Sequence, residues 1–223
     1  LEDRQLGDRE LKTAIYEEFA RVGKALASPR RLELLDLLAQ GERSVEVLAR
    51  RAELGLTAAS NHLQILKQAG LISARKDGTK VFYRLAGNDV AALWAGLRDV
   101  ASTHLANVDR VRGAYLGADD VDEVTRDELL RRIQAGDVTV IDVRPIEEYA
   151  AGHIPGALSL PLNELGDRLA SLPSDTMIVA YCRGPYCVLA HEAVRALTAS
   201  GLHAIRLRDG MIEWRLANLP VAV

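Results

Sequence analysis

Two cysteines occur in this 223-residue chain, and they stand five apart in one stretch, Tyr181-Cys-Arg-Gly-Pro-Tyr-Cys187. An isolated free cysteine packs as a small apolar residue and is often inert. A close pair in a reducing compartment points instead to redox chemistry or metal binding. The flanking residues favour a reactive thiol. An apolar strand, Met177 to Tyr181, leads into Cys182, and a helix from about Val188 to Ser200 follows Cys187. The loop amides, the positive end of that helix and Arg183 would each stabilise a thiolate, which predicts a Cys182 pKa below the free value of about 8.5. Gly184, Pro185 and Tyr186 complete the candidate loop. A direct disulfide needs Cα atoms within about 7 Å, which a curled loop of this length permits.

The elements that must hold this loop are legible on either side of it. Thr125 to Ala135 reads as a helix opened by the capping box Thr125-Arg-Asp-Glu128. Asp137 to Val143 reads as a buried strand, Glu147 to Ala151 as a helical turn and His153-Ile-Pro-Gly156 as a loop. A further strand is expected at His203 to Leu207 and a last helix at Met211 to Ala217. Strands alternating with helices over about 100 residues predict an α/β domain with a mainly parallel sheet. Reactive loops in such domains lie at the carboxyl ends of the strands, the position of Cys182.

Upstream the pattern is different. Apolar residues recur at helical spacing from Glu10 to Ala27 (Leu11, Ile15, Phe19, Val22, Leu26), and Ser28-Pro29 reads as a cap and first-turn proline for a helix over Arg30 to Gln40. Ser44 to Arg51 and Thr57 to Gln68 are two further helices joined by a turn at Leu54-Gly55-Leu56, a helix-turn-helix. Leu71 to Arg75 and Lys80 to Leu85 then form a hairpin turning at Asp77-Gly78. A basic hairpin after a helix-turn-helix is a winged helix, whose helix enters the major groove while the wing touches phosphates. Leu63 and Leu66 face the core, leaving Ser60, Asn61, Gln64 and Lys67 polar and exposed, with His62 half packed. Asn and Gln can read adenine edges; Lys67, Arg75, Lys76 and Lys80 suit phosphates.

This first part resembles the ArsR family of bacterial winged-helix repressors over roughly residues 12 to 105, on Ser60-Asn-His-Leu63, Leu66, Ala69-Gly-Leu-Ile72, Arg75, Gly78 and Tyr83-Arg-Leu85. The resemblance implies a homodimer on an inverted repeat of double-stranded DNA. Its first helix and a long helix over about Asn88 to Leu116 would form the dimer interface, with Leu93, Trp94, Leu97, Val100, Ala101, Leu105 and Val108 as an apolar stripe. Family members that sense metals place cysteines on the helix before the recognition helix, or Asp/His pairs on the last helix. Here the first position reads Ser44-Val-Glu-Val-Leu-Ala49, and the last helix offers Asp99 and His104 five apart, so no metal site and no cofactor are expected.

The second part resembles a rhodanese domain over nearly all of residues 122 to 223. The carrying residues are Val140-Ile-Asp-Val-Arg144, Glu148-Tyr149, Gly152-His-Ile-Pro-Gly-Ala157, Leu160-Pro161, Tyr181-Cys182 with Gly184, and Asp209-Gly210 with Trp214. The resemblance implies that Cys182 carries sulfane sulfur as a persulfide, with Asp142 and Arg144 as supporting residues; Asp142 itself reads more readily as a buried carboxylate holding Arg144 or loop amides. Cys187 stands at the fifth position after the cysteine, where such loops often carry arginine, and Pro185 where glycine is common. The related phosphatases need arginine at the next position, which is Val188 here. A second thiol in reach allows Cys187 to act as a resolving cysteine toward a persulfide or sulfenic acid on Cys182.

The expected fold is therefore two domains: a mainly α winged helix-turn-helix at 1–117, a linker at 118–124 including the acidic run Asp119-Asp120-Val-Asp-Glu123, and an α/β rhodanese-like domain at 125–223. Charge divides the same way. Residues 1–117 carry 18 Lys+Arg against 15 Asp+Glu and residues 118–223 carry 10 against 16, so only the first part suits a polyanion. No apolar run approaches the roughly 18 residues of a membrane span and the charged N-terminus is no signal peptide, so a cytoplasmic protein without membrane contact is expected. Three functions remain open. The chain is a transcription regulator, chiefly a repressor, whose DNA affinity answers to a small sulfur donor or oxidant at Cys182 and Cys187; or a rhodanese-type sulfurtransferase localised or dimerised by its winged helix; or a constitutive repressor with a rhodanese packing module.

Overall fold

The computed structural model describes residues 2–117 and 121–223, so the start of the expected linker, 118–120, lies outside the described residues. The chain divides into two compact units, one ending at Trp94 and the other running from Ala95 to Val223.

The first unit is built of α1 (Glu2–Leu26), α2 (Pro29–Ala39), β1 (Arg43–Ser44), α3 (Val45–Arg51), α4 (Leu56–Gln68), β2 (Ile72–Asp77) and β3 (Lys80–Leu85), followed by the start of α5 (Asn88–His104). Leu34, Leu35, Leu38, Leu48, Leu63 and Leu66 bury together against Leu71, Ile72 and Tyr83, so α2, α3, α4 and the hairpin share one core. The hairpin pairs antiparallel from Ile72↔Leu85 to Asp77↔Lys80, and β1, which the sequence reading lacked, adds to its β3 edge. Gly78 sits at φ 57° in the two-residue turn, a conformation that a Cβ disfavours. In the turn between α3 and α4 the left-handed residue is Glu53 at φ 52°, whereas Gly55 is the extended N-cap of α4. Pro29 stands at the start of α2, yet neither Ser28 nor Ser44 makes a side-chain capping bond to its helix. Leu11, Ile15, Tyr16 and Phe19 of α1 stay exposed.

The helix expected over Asn88 to Leu116 is two helices. It breaks at Leu105 (φ −107°, ψ 96°), and α6 (Ala106–Leu116) begins anew. Of the expected apolar stripe, Leu93, Val100 and Leu105 are exposed within the single chain.

Beyond α6 the second unit continues through β4 (Glu123–Val124), α7 (Arg126–Ala135), β5 (Val138–Asp142), α8 (Ile146–Ala150), β6 (Leu158–Ser159), α9 (Leu165–Arg168), β7 (Met177–Tyr181), α10 (Val188–Ala199), β8 (Ala204–Leu207) and α11 (Met211–Leu216). The strands form one sheet in the order β4-β8-β7-β5-β6 with every pairing parallel. Glu123 and Val124, read from the sequence as the end of the linker, are strand β4, and Val124 is buried. Thr125 caps α7, its hydroxyl accepting from the Glu128 amide at 3.3 Å, but the expected capping box is half made, the Glu128 carboxylate pairing with Arg131 and Arg132. Alternation along the central strands divides the interior into two layers. Ile141, Ile178 and Ala180 pack on one face with Ala193, Val194 and Leu197 of α10; Val140, Val179 and Tyr181 pack on the other with Leu129, Met211 and Trp214. Among the described residues no helix is long and apolar enough to cross a membrane.

Candidate functional site

The central strands β5 and β7 run side by side in register, Asp142 opposite Tyr181, so the residues that follow them emerge at one end of the sheet. Cys182 is the first residue beyond β7, and Cys187 is the N-cap of the 12-residue helix α10. The intervening loop curls back on itself through a bond from the Cys187 amide to the Gly184 carbonyl at 3.1 Å. That curl brings the cysteine Cα atoms to 6.2 Å, and the two sulfurs are bonded as a disulfide. Cys182 is buried, while Arg183, Gly184, Pro185, Tyr186 and Cys187 are half-buried. In this oxidised form neither cysteine titrates, so the lowered thiol pKa expected from the sequence belongs to the reduced form alone.

The loop is stitched to the start of α11. The Met211 amide donates to the Cys182 carbonyl at 3.0 Å, and the Ile212 amide reaches the Arg183 carbonyl at 3.4 Å. Gly210 makes this approach possible: a Cβ there would lie 2.2 Å from the Gly184 nitrogen and 2.4 Å from the Arg183 carbonyl carbon. The Gly210 amide donates to the Glu213 carboxylate at 3.0 Å, and the same carboxylate pairs with Arg98.

Arg183, expected from the sequence to stabilise a thiolate, is paired with a carboxylate. Its guanidinium forks onto the buried Glu148 carboxylate, with Nη2 to Oε1 at 2.7 Å and Nε to Oε2 at 2.9 Å. Glu148, in the middle of α8, thus matches the cation, a partnership the sequence did not disclose.

Asp142 and Arg144 are both fully buried and bind each other. Arg144 donates to Asp142 from Nε (2.9 Å) and Nη2 (2.5 Å), and again from its backbone amide (3.0 Å). Arg144 Nη2 also donates to the Gly152 carbonyl at 2.9 Å, and the Tyr181 hydroxyl donates to Asp142 at 2.6 Å while accepting from the Ile154 amide at 3.1 Å. Burial works against the Arg144 charge, but the bonds and charge of Asp142 outweigh it and raise the guanidinium pKa. Burial first, and then the Asp142 charge, also push the Tyr181 hydroxyl upward. This network ties the ends of β5 and β7 to the 152–154 segment, which is the buried-carboxylate arrangement considered from the sequence.

The other candidate surface lies in the first unit. On α4, Leu63 and Leu66 face the core and Asn61, Gln64 and Lys67 are exposed. His62 is half-buried, as the sequence implied, but so is Ser60, which was expected in solvent. Gln64 Nε2 donates to the Tyr83 hydroxyl of β3 at 3.3 Å. Lys76 and Lys80 are exposed near the hairpin tip. Arg75 is held: it donates to both Glu42 oxygens, pairs with Asp77 at 3.0 Å and lies 4.6 Å over the Phe82 ring. The Glu42 bonds, then Asp77, raise its pKa.

Comparison with known proteins agrees with both halves of this description. Residues 28–74 match the model of the bacterial regulatory protein, arsR family, and residues 125–217 match the rhodanese-like domain model. The chain is 56% identical over 215 residues to the HTH-type transcriptional regulator Rv0324 of Mycobacterium tuberculosis, which covers 96% of this chain and 95% of that protein. The chain belongs to the ArsR-family transcriptional regulators with a C-terminal rhodanese-like domain. In this regulator the arsR-family match runs from the start of α2 into β2, and the rhodanese match runs from the cap of α7 to the end of α11. A sulfurtransferase of Allochromatium vinosum is 33% identical over 103 residues, covering 45% of the regulator and 94% of that enzyme. A homodimeric winged helix-turn-helix DNA-binding domain from Mycobacterium bovis, solved in solution, is 54% identical, covering 43% of the regulator and 89% of that chain with a TM-score of 0.41.

Sequence reasoning missed Glu148 as the partner of Arg183, the Tyr181 hydroxyl as a partner of Asp142, and the Arg98–Glu213 pair altogether. Glu148 stood in a quoted motif, but nothing in the sequence linked it to a residue 35 positions away. Arg98 and Glu213 are 115 positions apart and left no signal.

Proposed function

We propose that the DNA affinity of this regulator is set by the oxidation state of Cys182 and Cys187, with sulfane sulfur or a thiol oxidant as the input. The observation that carries this reading is the Cys182–Cys187 bond, closed inside a loop that also forms the N-terminus of α10. A persulfide or polysulfide passes its outer sulfur to the Cys182 thiolate, and the rest of the donor leaves as a thiolate or as a polysulfide anion one sulfur shorter. The Cys187 thiolate then attacks Cys182 Sγ, the bond to the outer sulfur breaks, and hydrosulfide departs with the electron pair. Two thiols are oxidised to one disulfide while one sulfane sulfur is reduced. With hydrogen peroxide the same pair closes through a sulfenic acid, and water leaves at each step.

The reading includes a homodimer on duplex DNA with an inverted repeat. Exposed Leu11, Ile15, Tyr16 and Phe19 on α1, with Val100 and Leu105 near the end of α5, give apolar surface suited to a second copy. Asn61, Gln64 and Lys67 on α4 face solvent at the position of a recognition helix, and Lys76 and Lys80 lie on the wing.

The alternative is that Cys182 turns over as a persulfide carrier in a sulfurtransferase, a reading favoured by the rhodanese-like match and the 33% identical sulfurtransferase. One experiment divides the two. Binding of the full chain to a duplex selected from a random-sequence pool is measured at fixed salt, reduced and after polysulfide, with mass spectrometry of the 182–187 peptide on the same samples. A change of about 5-fold or more in Kd that accompanies the Cys182–Cys187 link, and that is absent in C182S and C187S, supports the sensor. Sulfur loading with unchanged Kd, and steady turnover with a thiol acceptor, supports the enzyme.

A further inference from the structure

The cysteine loop, α11 and α5 meet at one buried ion pair. Arg98 of α5 pairs with Glu213 of α11, and their side chains are only 9% and 19% exposed. The second oxygen of Glu213 accepts from the Gly210 amide, and Gly210 is the residue against which the cysteine loop packs. Contact is direct as well: a Cβ on Gly184 would lie 2.9 Å from Arg98 Nη1 and 3.5 Å from Glu213 Oε2. Breaking or making the Cys182–Cys187 bond changes the separation of two sulfurs from covalent to van der Waals contact, and Gly184 sits between the two cysteines. A loop packed this closely against a buried ion pair cannot rearrange without pressing on it. The pair belongs to α5, a continuous helix on which Trp94 stands four residues before Arg98, about one turn away. Trp94 Nε1 donates to Asp36 of α2 at 2.9 Å.

We propose that Arg98 is a positioning residue of the cysteine loop, acting through Glu213 and Gly210, and that it makes the cysteine pair and α5 respond to each other. The positioning role stands on the geometry alone; its regulatory consequence rests on the reading of function above. The consequence is reciprocal. If closing the disulfide changes DNA affinity by some factor, bound DNA changes the dithiol–disulfide equilibrium by the same factor, because both are one coupling free energy. Arg98 and Glu213 carry that coupling, so replacing either one removes it in both directions.

The test uses the full-length protein and the duplex it selects from a random-sequence pool. The midpoint potential of the Cys182–Cys187 couple is measured in wild type, R98Q, E213Q and the double variant, each without and with DNA; R98K replaces R98Q if the latter does not fold. Without DNA, R98Q and E213Q are each expected to shift the dithiol–disulfide equilibrium by about tenfold, or about 30 mV. The double variant shifts it no further than either single change, because the two residues act as one unit. With DNA, wild type shifts by the factor seen in its Kd ratio between oxidised and reduced protein, and the variants shift by less than about twofold. Unchanged potentials in both single variants, or shifts that simply add in the double variant, overturn the positioning role. If wild type shows no DNA response while R98Q and E213Q still move the potential, the sensor reading falls and the positioning role stands. If wild type responds to DNA and the variants respond equally, the relay is overturned and the sensor reading stands.

Discussion

Replacing Arg144 by methionine tests whether the Asp142–Arg144 pair is a brace or part of the chemistry. Both side chains are at 0% exposure, and Arg144 donates to Asp142 through Nε, Nη2 and its own backbone amide. Methionine removes the guanidinium and leaves the carboxylate buried, with the backbone amide and the Tyr181 hydroxyl still donating to it. Breaking one side of a buried pair costs about 3–5 kcal/mol, more than the pair contributes net, because the remaining charge has lost its partner. At roughly 3–5 °C per kcal/mol for a unit of this size, thermal unfolding of the second unit should fall by roughly 10–20 °C. The double variant D142L/R144M removes both charges and takes one bond from each of several neutral groups, leaving the Gly152 carbonyl with Arg215 at 3.4 Å and the Tyr181 hydroxyl with the Ile154 amide, at about 1 kcal/mol for each lost bond. It should therefore be more stable than R144M by about 1–2 kcal/mol. Urea unfolding at pH 7 measures both differences. A cost below about 1 kcal/mol for R144M, or a double variant less stable than the single one, would refute the argument. Folded D142L/R144M should still close the Cys182–Cys187 link under polysulfide; failure to do so would place the pair in the chemistry.

Three further outcomes follow from the same geometry. Gly210→Ala drives a Cβ into the Gly184 and Arg183 backbone, so it should cost about 3 kcal/mol in urea unfolding and speed alkylation of reduced Cys182; a cost within about 0.5 kcal/mol would show that the loop yields freely. Tyr181→Phe strands the buried Ile154 amide and should cost about 1–3 kcal/mol at pH 7. Because the folded Tyr181 pKa is raised above its unfolded value of about 10, this residue's contribution is complete below pH 10 and lost as pH rises beyond it. The stability gap between wild type and Y181F should accordingly narrow between pH 9 and pH 11, and a constant gap would contradict the assigned burial. On the wing, K76Q/K80Q should weaken binding to all duplexes alike and lower the salt slope by about 2, whereas R75Q, whose guanidinium is already held by Glu42 and Asp77, should change that slope by less than about 0.5.

Much of the fold is written in local pattern. The spacing of Leu63 and Leu66 placed the inner face of α4, and the alternation of strand and helix after Thr125 implied the parallel sheet that the structure contains, whereas the wing's turn lies at Gly78-Thr79, one residue beyond the expected Asp77-Gly78, because Asp77 still pairs with Lys80. Local pattern failed where tertiary contacts decide. No Gly or Pro marks the break at Leu105, since Ser102-Thr-His-Leu-Ala106 would continue a helix as readily as end it. Strand β4 is two residues long and exists only because β8 supplies a parallel partner.

The cysteine loop shows the same limit with a chemical consequence. In the sequence Arg183 stands beside Cys182, and adjacency invites the inference that its charge activates the thiol. Folded, that charge is matched by Glu148, so any thiolate on reduced Cys182 must draw chiefly on loop amides and the N-terminus of α10. Those groups are built from the backbone and cannot be removed by a side-chain change. Arg183→Gln should therefore perturb reactivity mainly by leaving the buried Glu148 carboxylate without its partner, and E148Q/R183Q, which removes both charges, should restore the reactivity that R183Q loses. Rates of iodoacetamide alkylation of the reduced protein distinguish the two: recovery in the double variant means that Arg183 anchors the loop, and persistent loss means that its charge reaches the sulfur after all.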